Sequence, residues 1–144
     1  MLPLLTRIDH VGIACRDLNK AMELYQGTFG LKVVTVETHE AQGVREAMLA
    51  VSEGALEPGY VQLLEPLGPD TPVGKFLARR GEGIHHIGYG VADIGEALSA
   101  LGATGIRLID ERPRHGSMGA SIAFLHPADL GGVLTELVQS VTAT

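Results

Sequence analysis

A chain of 144 residues with a formal charge of −6 and 45% hydrophobic residues is long enough to bury a real interior and lacks the basic excess of a nucleic-acid binder. No apolar run approaches the ~20 residues that span a bilayer, and the apolar stretch Met1–Leu5 is too short for a secretory signal and has no cleavage site. The single cysteine, Cys15, has no partner for an internal disulfide, which fits a reducing, cytoplasmic setting.

Ile8-Asp9-His10-Val11-Gly12 reads as the first strand. Asp17 then stands as a helix N-cap, and the helix predicted over Leu18–Thr28 closes at Phe29-Gly30 with a glycine C-cap signal. Strands are predicted near Lys32–Glu37, Arg45–Val51 and Gly59–Glu65. Thr71–Arg80 reads as a short helix, with Pro72 near its start and Gly81 at its end.

From there the pattern begins again. Ile84-His85-His86-Ile87-Gly88 repeats Ile8–Gly12, and Asp93-Ile94 and Ala97-Leu98 repeat Asp17-Leu18 and Ala21-Met22 without a gap. The second helix is predicted over Ile94–Leu101 with Gly102 as its stop, followed by strands near Ile106–Asp110, Ser121–Leu125 and Gly132–Gln139. The expected fold is therefore α+β: two tandem βαβββ modules forming a curved mixed sheet around a metal-binding cleft, within a single domain spanning 1–144. Module 1 covers about 6–67, the linker helix 71–81, and module 2 about 83–140.

Duplication makes equivalent positions informative. His10 and His86 occupy the same place in the two first strands, each two residues before a glycine (Gly12, Gly88) that leaves room for a ligand. Gln62 and Glu136 interrupt otherwise apolar last strands. Each is either an ordinary outward polar position or an oxygen donor, and a buried carboxylate needs a partner or a metal. Two imidazoles, an amide oxygen and a carboxylate suit Co²⁺, Mn²⁺, Fe²⁺, Ni²⁺ or Zn²⁺ and leave positions open on an octahedral ion. Glu46, at a strand start, faces the cleft opposite Glu136 or pairs with a nearby arginine. His85 points away from His86, while His39, His115 and His126 fall in predicted loops and read as structural or surface residues. Cys15 reads as a small buried thiol. Lys75, Arg79 and Arg80 form one basic cluster and Arg112, Arg114 and His115 another. Each is either a solvated face or a contact for an anionic substrate.

Several stretches resemble a known family. They are Ile8–Ala14, Gln42-Gly43-Val44-Arg45, Gln62–Leu67, the block from Lys75 through Gly81-Glu82-Gly83-Ile84-His85-His86-Ile87, Arg107–Arg114, and Phe124–Pro127 with Gly131–Leu137. Together they are similar to the methylmalonyl-CoA epimerases of the vicinal oxygen chelate (glyoxalase/bleomycin resistance/dioxygenase) superfamily. The resemblance implies that His10, Gln62, His86 and Glu136 surround one divalent metal per chain, Co²⁺ first, with Mn²⁺, Ni²⁺, Zn²⁺ or Mg²⁺ as alternatives. It implies epimerisation of (2R)- and (2S)-methylmalonyl-CoA, held through its thioester oxygen and free carboxylate, by C2 proton abstraction through a metal-stabilised enolate. The proton is expected to return on the opposite face, and Glu46 and Glu136 are the candidates for the two bases. Lys75, Arg79, Arg80 and Arg114 become candidates for the CoA phosphates. A cytoplasmic homodimer without nucleic-acid or membrane partners is expected, serving propionyl-CoA breakdown or polyketide extender supply. Two rivals use the same scaffold: a glyoxalase-like lyase or ring-cleaving dioxygenase with His10, His86 and Glu136 around iron, and a drug-sequestering protein of the bleomycin-resistance type.

Overall fold

The computed structural model describes residues 4–52 and 59–141, so of the Met1–Leu5 stretch Met1–Pro3 lie outside the described residues. The strands and helices run in the order β1 (Leu5–Ala14), α1 (Leu18–Phe29), β2 (Lys32–His39), β3 (Val44–Ala50), β4 (Tyr60–Pro66), α2 (Pro72–Arg80), β5 (Gly83–Val91), α3 (Ile94–Ala103), β6 (Arg114–His115), β7 (Ser121–Leu125) and β8 (Thr135–Gln139). This is a mixed α+β protein. It divides into two compact units, His10–His85 on the one hand and Met1–Asp9 with His86–Thr144 on the other.

In the first unit the strand order is β2-β3-β4-β1. β3 runs antiparallel to β2 and β4, and β1 lies parallel to β4. The alternation of side chains gives the sheet two different faces. One packs Cys15, Ala47, Leu49 and Leu63 against α1, through Leu18, Ala21, Met22 and Tyr25. The other receives α2 at one end, where Val73 and Leu77 meet Ala14, Val44 and Leu64. The expected linker helix is thus packed into this unit.

The second unit repeats the plan with the order β5-β8-β7-β6, β5 parallel to β8 and β7 antiparallel to β8 and β6. Its α3 covers one face, packing Ile94, Ala97 and Leu98 on Val91, Ala123, Leu125 and Leu137. The equivalence extends to single pairs: Gln62 is the register partner of Gly12, and Glu136 of Gly88.

Local chemistry sets the helix limits in the same way in both units. Asp17 accepts from the Lys20 amide at 3.1 Å and Asp93 from the Glu96 amide at 2.9 Å, each satisfying a donor that no helical carbonyl can reach. A second acceptor comes from the last strand. Glu65 takes the Leu18 amide at 2.7 Å, and Gln139 takes that of Ile94 at 2.9 Å. α1 ends at Gly30, whose φ of 70° is the left-handed conformation a helix C-cap needs and a side chain resists.

The structure departs from the sequence-based expectations in four places. The strand expected over Ile106–Asp110 reduces to one bridge between Leu108 and Leu125, because the amides of Ile109 and Asp110 both turn to the Phe124 carbonyl, at 2.9 and 3.1 Å. The Asp110 carboxylate accepts the Phe124 amide at 2.9 Å, so the ladder cannot continue, and the outer strand forms instead at Arg114–His115. The helix α3 passes through Gly102 and is closed by Thr104, whose hydroxyl donates to the Leu101 carbonyl at 2.6 Å. β8 begins at Thr135, since Gly131 and Gly132 sit at φ 67° and 87° and the Gly132 amide bonds the Pro127 carbonyl at 2.8 Å. Finally, β2 extends through His39, which takes that residue out of its predicted loop; His115 likewise lies in a strand.

Candidate active site

The face of the first unit turned away from α1 carries its polar chemistry. Glu46 on β3 stands in register opposite Glu37 on β2 and Leu64 on β4, while Gln62 pairs with Met48, two residues along from Glu46. Opposed and diagonal cross-strand neighbours share a face, so Glu37, His39, Glu46 and Gln62 all project to the same side. Glu46 is 2% exposed. The Gln62 amide Nε2 donates to its Oε2 at 2.7 Å, and His39 Nε2 lies 3.0 Å from its Oε1. Glu37 Oε1 lies 3.8 Å from the same imidazole nitrogen. A buried carboxylate is tolerable only with such partners. The amide nitrogen of Gln62 is thus committed to Glu46; its carbonyl oxygen is the atom through which an amide binds a metal. His10 is buried on β1, two residues before Gly12 and so on the face that Gln62 shares.

In the second unit, His86 on β5 and Glu136 on β8 are both buried, with His86 Nε2 3.2 Å from Glu136 Oε1. The register brings them together: Glu136 lies beside Gly88, two residues beyond His86. Phe124 on β7 is the cross-strand partner of Glu136 and packs edge-on against the His86 ring at 5.4 Å. Arg114 reaches over Phe124 from β6, its guanidinium carbon 5.5 Å from the ring centre, and its Nε donates to Asp110 at 3.3 Å. Of the basic candidates for an anionic substrate, Arg114 is therefore tied to this face through an aromatic ring. Lys75, Arg79 and Arg80 are exposed on α2, where Arg79 and Arg80 in the last turn also complement the helix dipole.

His86 and Glu136 in the second unit are candidate metal ligands, and so, in the first unit, is His10; each of the three is buried. Imidazole nitrogen with carboxylate oxygen is the donor set of a divalent first-row metal, and a cation would offset the charge of a buried carboxylate. The donors present thus fit such an ion. The remaining residues fall elsewhere. His85 packs against Phe76 at 5.0 Å, and His126 Nδ1 accepts the Ala128 amide at 3.1 Å. Cys15 is buried, with its Sγ 3.5 Å from the Leu64 carbonyl. Burial first, then the carboxylates of Glu65, Glu82 and Asp17, push its thiol up to about 12, which makes it a poor nucleophile near neutrality.

Glu37 is the residue that the sequence reading passed over, and His39 the one it assigned to a loop. Their signal was period two: Thr35, Glu37 and His39 alternate with Val34, Val36 and Thr38, and they share the face of Glu46.

Comparison with known proteins gives consistent results. The family model of the Glyoxalase/Bleomycin resistance protein/Dioxygenase superfamily matches residues 9–124. An ethylmalonyl-CoA/methylmalonyl-CoA epimerase of Cereibacter sphaeroides is 36% identical, over 92% of this chain and 97% of its own. A glutamate-to-glutamine variant of the Streptomyces coelicolor methylmalonyl-CoA epimerase, solved with 2-nitronate-propionyl-CoA, is 50% identical with a TM-score of 0.92, covering 96% of this chain and 99% of that one. A methylmalonyl-CoA epimerase solved with methylmalonyl-CoA and ammonium is also 50% identical, with a TM-score of 0.91 and 96% coverage of both chains.

Proposed function

Because the chain belongs to the glyoxalase/bleomycin resistance protein/dioxygenase superfamily, we propose that it interconverts the (2R) and (2S) forms of methylmalonyl-CoA by moving the proton at C2. The observation that carries the reading is the 50% identity, across 96% of this chain, to an epimerase solved with 2-nitronate-propionyl-CoA. The substrate's C2 hydrogen is acidic because the charge left behind spreads into the thioester carbonyl. Inversion then needs one base to take the proton and an acid on the other face to supply one.

Glu46 and Glu136 fill these roles, both buried; Glu46 accepts a hydrogen bond from Gln62, and Glu136 lies 3.2 Å from His86. The hydrogen bond fixes the Glu46 carboxylate before the substrate arrives. Burial also excludes bulk water from the carbanion. His10, Gln62, His86 and Glu136 would hold one divalent ion, Co²⁺ before Mn²⁺, Ni²⁺, Zn²⁺ or Mg²⁺. When bound, the ion supplies Lewis-acid attraction for the charge that develops on substrate oxygen, worth several kcal/mol. Glu136 carries two assignments, ligand and base. Arg114, Lys75, Arg79 and Arg80 offer the cations for the CoA phosphates. The reading includes a homodimer working in the cytoplasm; among the described residues no helix is long and apolar enough to cross a membrane.

The test is exchange at C2. Methylmalonyl-CoA incubated with the protein and Co²⁺ in D₂O should gain deuterium by mass spectrometry, and EDTA should stop the exchange. His86→Ala should lose bound metal and exchange together. Absence of exchange with metal present would remove the epimerase reading, and normal metal content in His86→Ala would remove the ligand set.

A further inference from the structure

A base that starts a turnover ionised ends it protonated, and its partner ends in the opposite state. Before the same epimer can react again, each must trade its proton with solvent. For Glu46 this is a problem of access, since it is 2% exposed. One imidazole borders both the carboxylate and the outside: His39 Nε2 is itself buried and lies 3.0 Å from Glu46 Oε1, while the His39 side chain as a whole is 19% exposed.

We infer that His39 is a positioning residue that links Glu46 to solvent, carrying protons between the buried base and water. The inference rests on the epimerase reading above. Three features carry it. First, the oxygens of Glu46 are divided: Oε2 accepts from Gln62 at 2.7 Å and Oε1 lies 3.0 Å from His39 Nε2. Second, the His39 nitrogen is close to Oε1 without being aligned for a hydrogen bond, so a small ring rotation makes or breaks the transfer. Catalytic contacts are commonly looser before substrate binds. Third, Glu37 stands directly opposite Glu46, where two like charges would otherwise repel. The imidazole lies between them, 3.0 Å from one and 3.8 Å from the other. Among the described residues, Glu37 of its own strand and Glu46 of β3 are the ionisable groups set against this ring.

The step balances simply. The protonated Glu46 carboxyl gives its proton to the lone pair of His39 Nε2, leaving a carboxylate and an imidazolium. The imidazolium then turns about its side-chain bond and releases that same Nε2 proton to water, which restores the neutral tautomer that accepts at Nε2. In the reverse reaction the same path delivers a proton to Glu46.

The experiment compares wild type, His39→Ala and His39→Gln in steady-state epimerisation, with and without added imidazole. If wild type itself fails to epimerise, the functional reading fails and this inference goes with it. Given active wild type, loss of a relay should lower kcat in both variants by about 10- to 100-fold, toward the low end of general acid–base effects, with KM little changed. Imidazole should restore His39→Ala, which has room for it. Full kcat in His39→Gln would show that a hydrogen-bonding side chain suffices and would overturn the relay, as would a loss in His39→Ala that imidazole does not relieve.

Discussion

In the unit of β1–β4 the side chain beside Gly12 is the amide of Gln62, and the acid stands one strand further out, at Glu46. In the unit of β5–β8 the side chain beside Gly88 is the carboxylate of Glu136, and the position matching Glu46 holds Ile122. The next strand out diverges as well. Glu37 faces Glu46 in the first unit, whereas Arg114 faces Ile122 in the second. Meanwhile the scaffold is repeated closely: the same parallel pairing of first and last strands, the same Asp caps, and the same reach of a last-strand side chain to the first helical amide. Backbone pairing constrains register and helix entry, but it leaves the chemistry of any one inward position free to change. Each unit thus supplies one buried glutamate, from different strands and among different neighbours.

The sharpest way to break that comparison is to remove the acids one at a time. Glu136→Gln should cost the most, about 10³- to 10⁴-fold in kcat, at the upper end of general acid–base effects, because it also removes a proposed metal ligand. Glu46→Gln should cost roughly 10²-fold or more in epimerisation, yet still let one epimer trade its C2 hydrogen for deuterium through Glu136. Equal losses in the two variants, with no residual exchange in either, would mean that the glutamates do not divide the two faces of the substrate.

A test of the shared scaffold comes next. Leu63 and Leu137 follow Gln62 and Glu136 directly, and both are fully buried, under α1 and α3 respectively. Truncating either to alanine should cost about 2–5 kcal/mol, read from urea unfolding. Clearly unequal costs would show that the two helix-covered cores are packed to different standards despite their matching register.

The smallest expected effect lies at the helix starts. Glu65 brings a charge to the N-terminus of α1, where Gln139 brings only a dipole to α3. Gln139→Glu should stabilise by about 0.3–1 kcal/mol at low ionic strength and lose that gain as salt is added. No gain at low salt would indicate that Glu96, already in the first turn of α3, leaves no room for a second acid there.

Much of this was readable in the chain. Repeats of His-x-Gly and Asp caps at equal spacing mark the duplication, because strand pairing and helix entry depend on local residues. The departures came where a contact between distant residues outweighed local preference. Gly132, expected to open the last strand, lies in a turn tied to Pro127, and Asp110 ends a strand by capturing the Phe124 amide.

The site divides along the same line. By itself the sequence determined which side chains occupy equivalent strand positions, since a period of two and a duplicated pattern assign His10, Gln62, His86 and Glu136 to corresponding places. Only the tertiary structure decided which polar groups meet across strands. That His39 abuts Glu46, that Gln62 donates to the same carboxylate, and that Arg114 lies over Phe124 beside His86 all depend on the register of chain segments far apart in sequence. No local propensity encodes that register, because it is set by the burial of whole sheet faces against their helices.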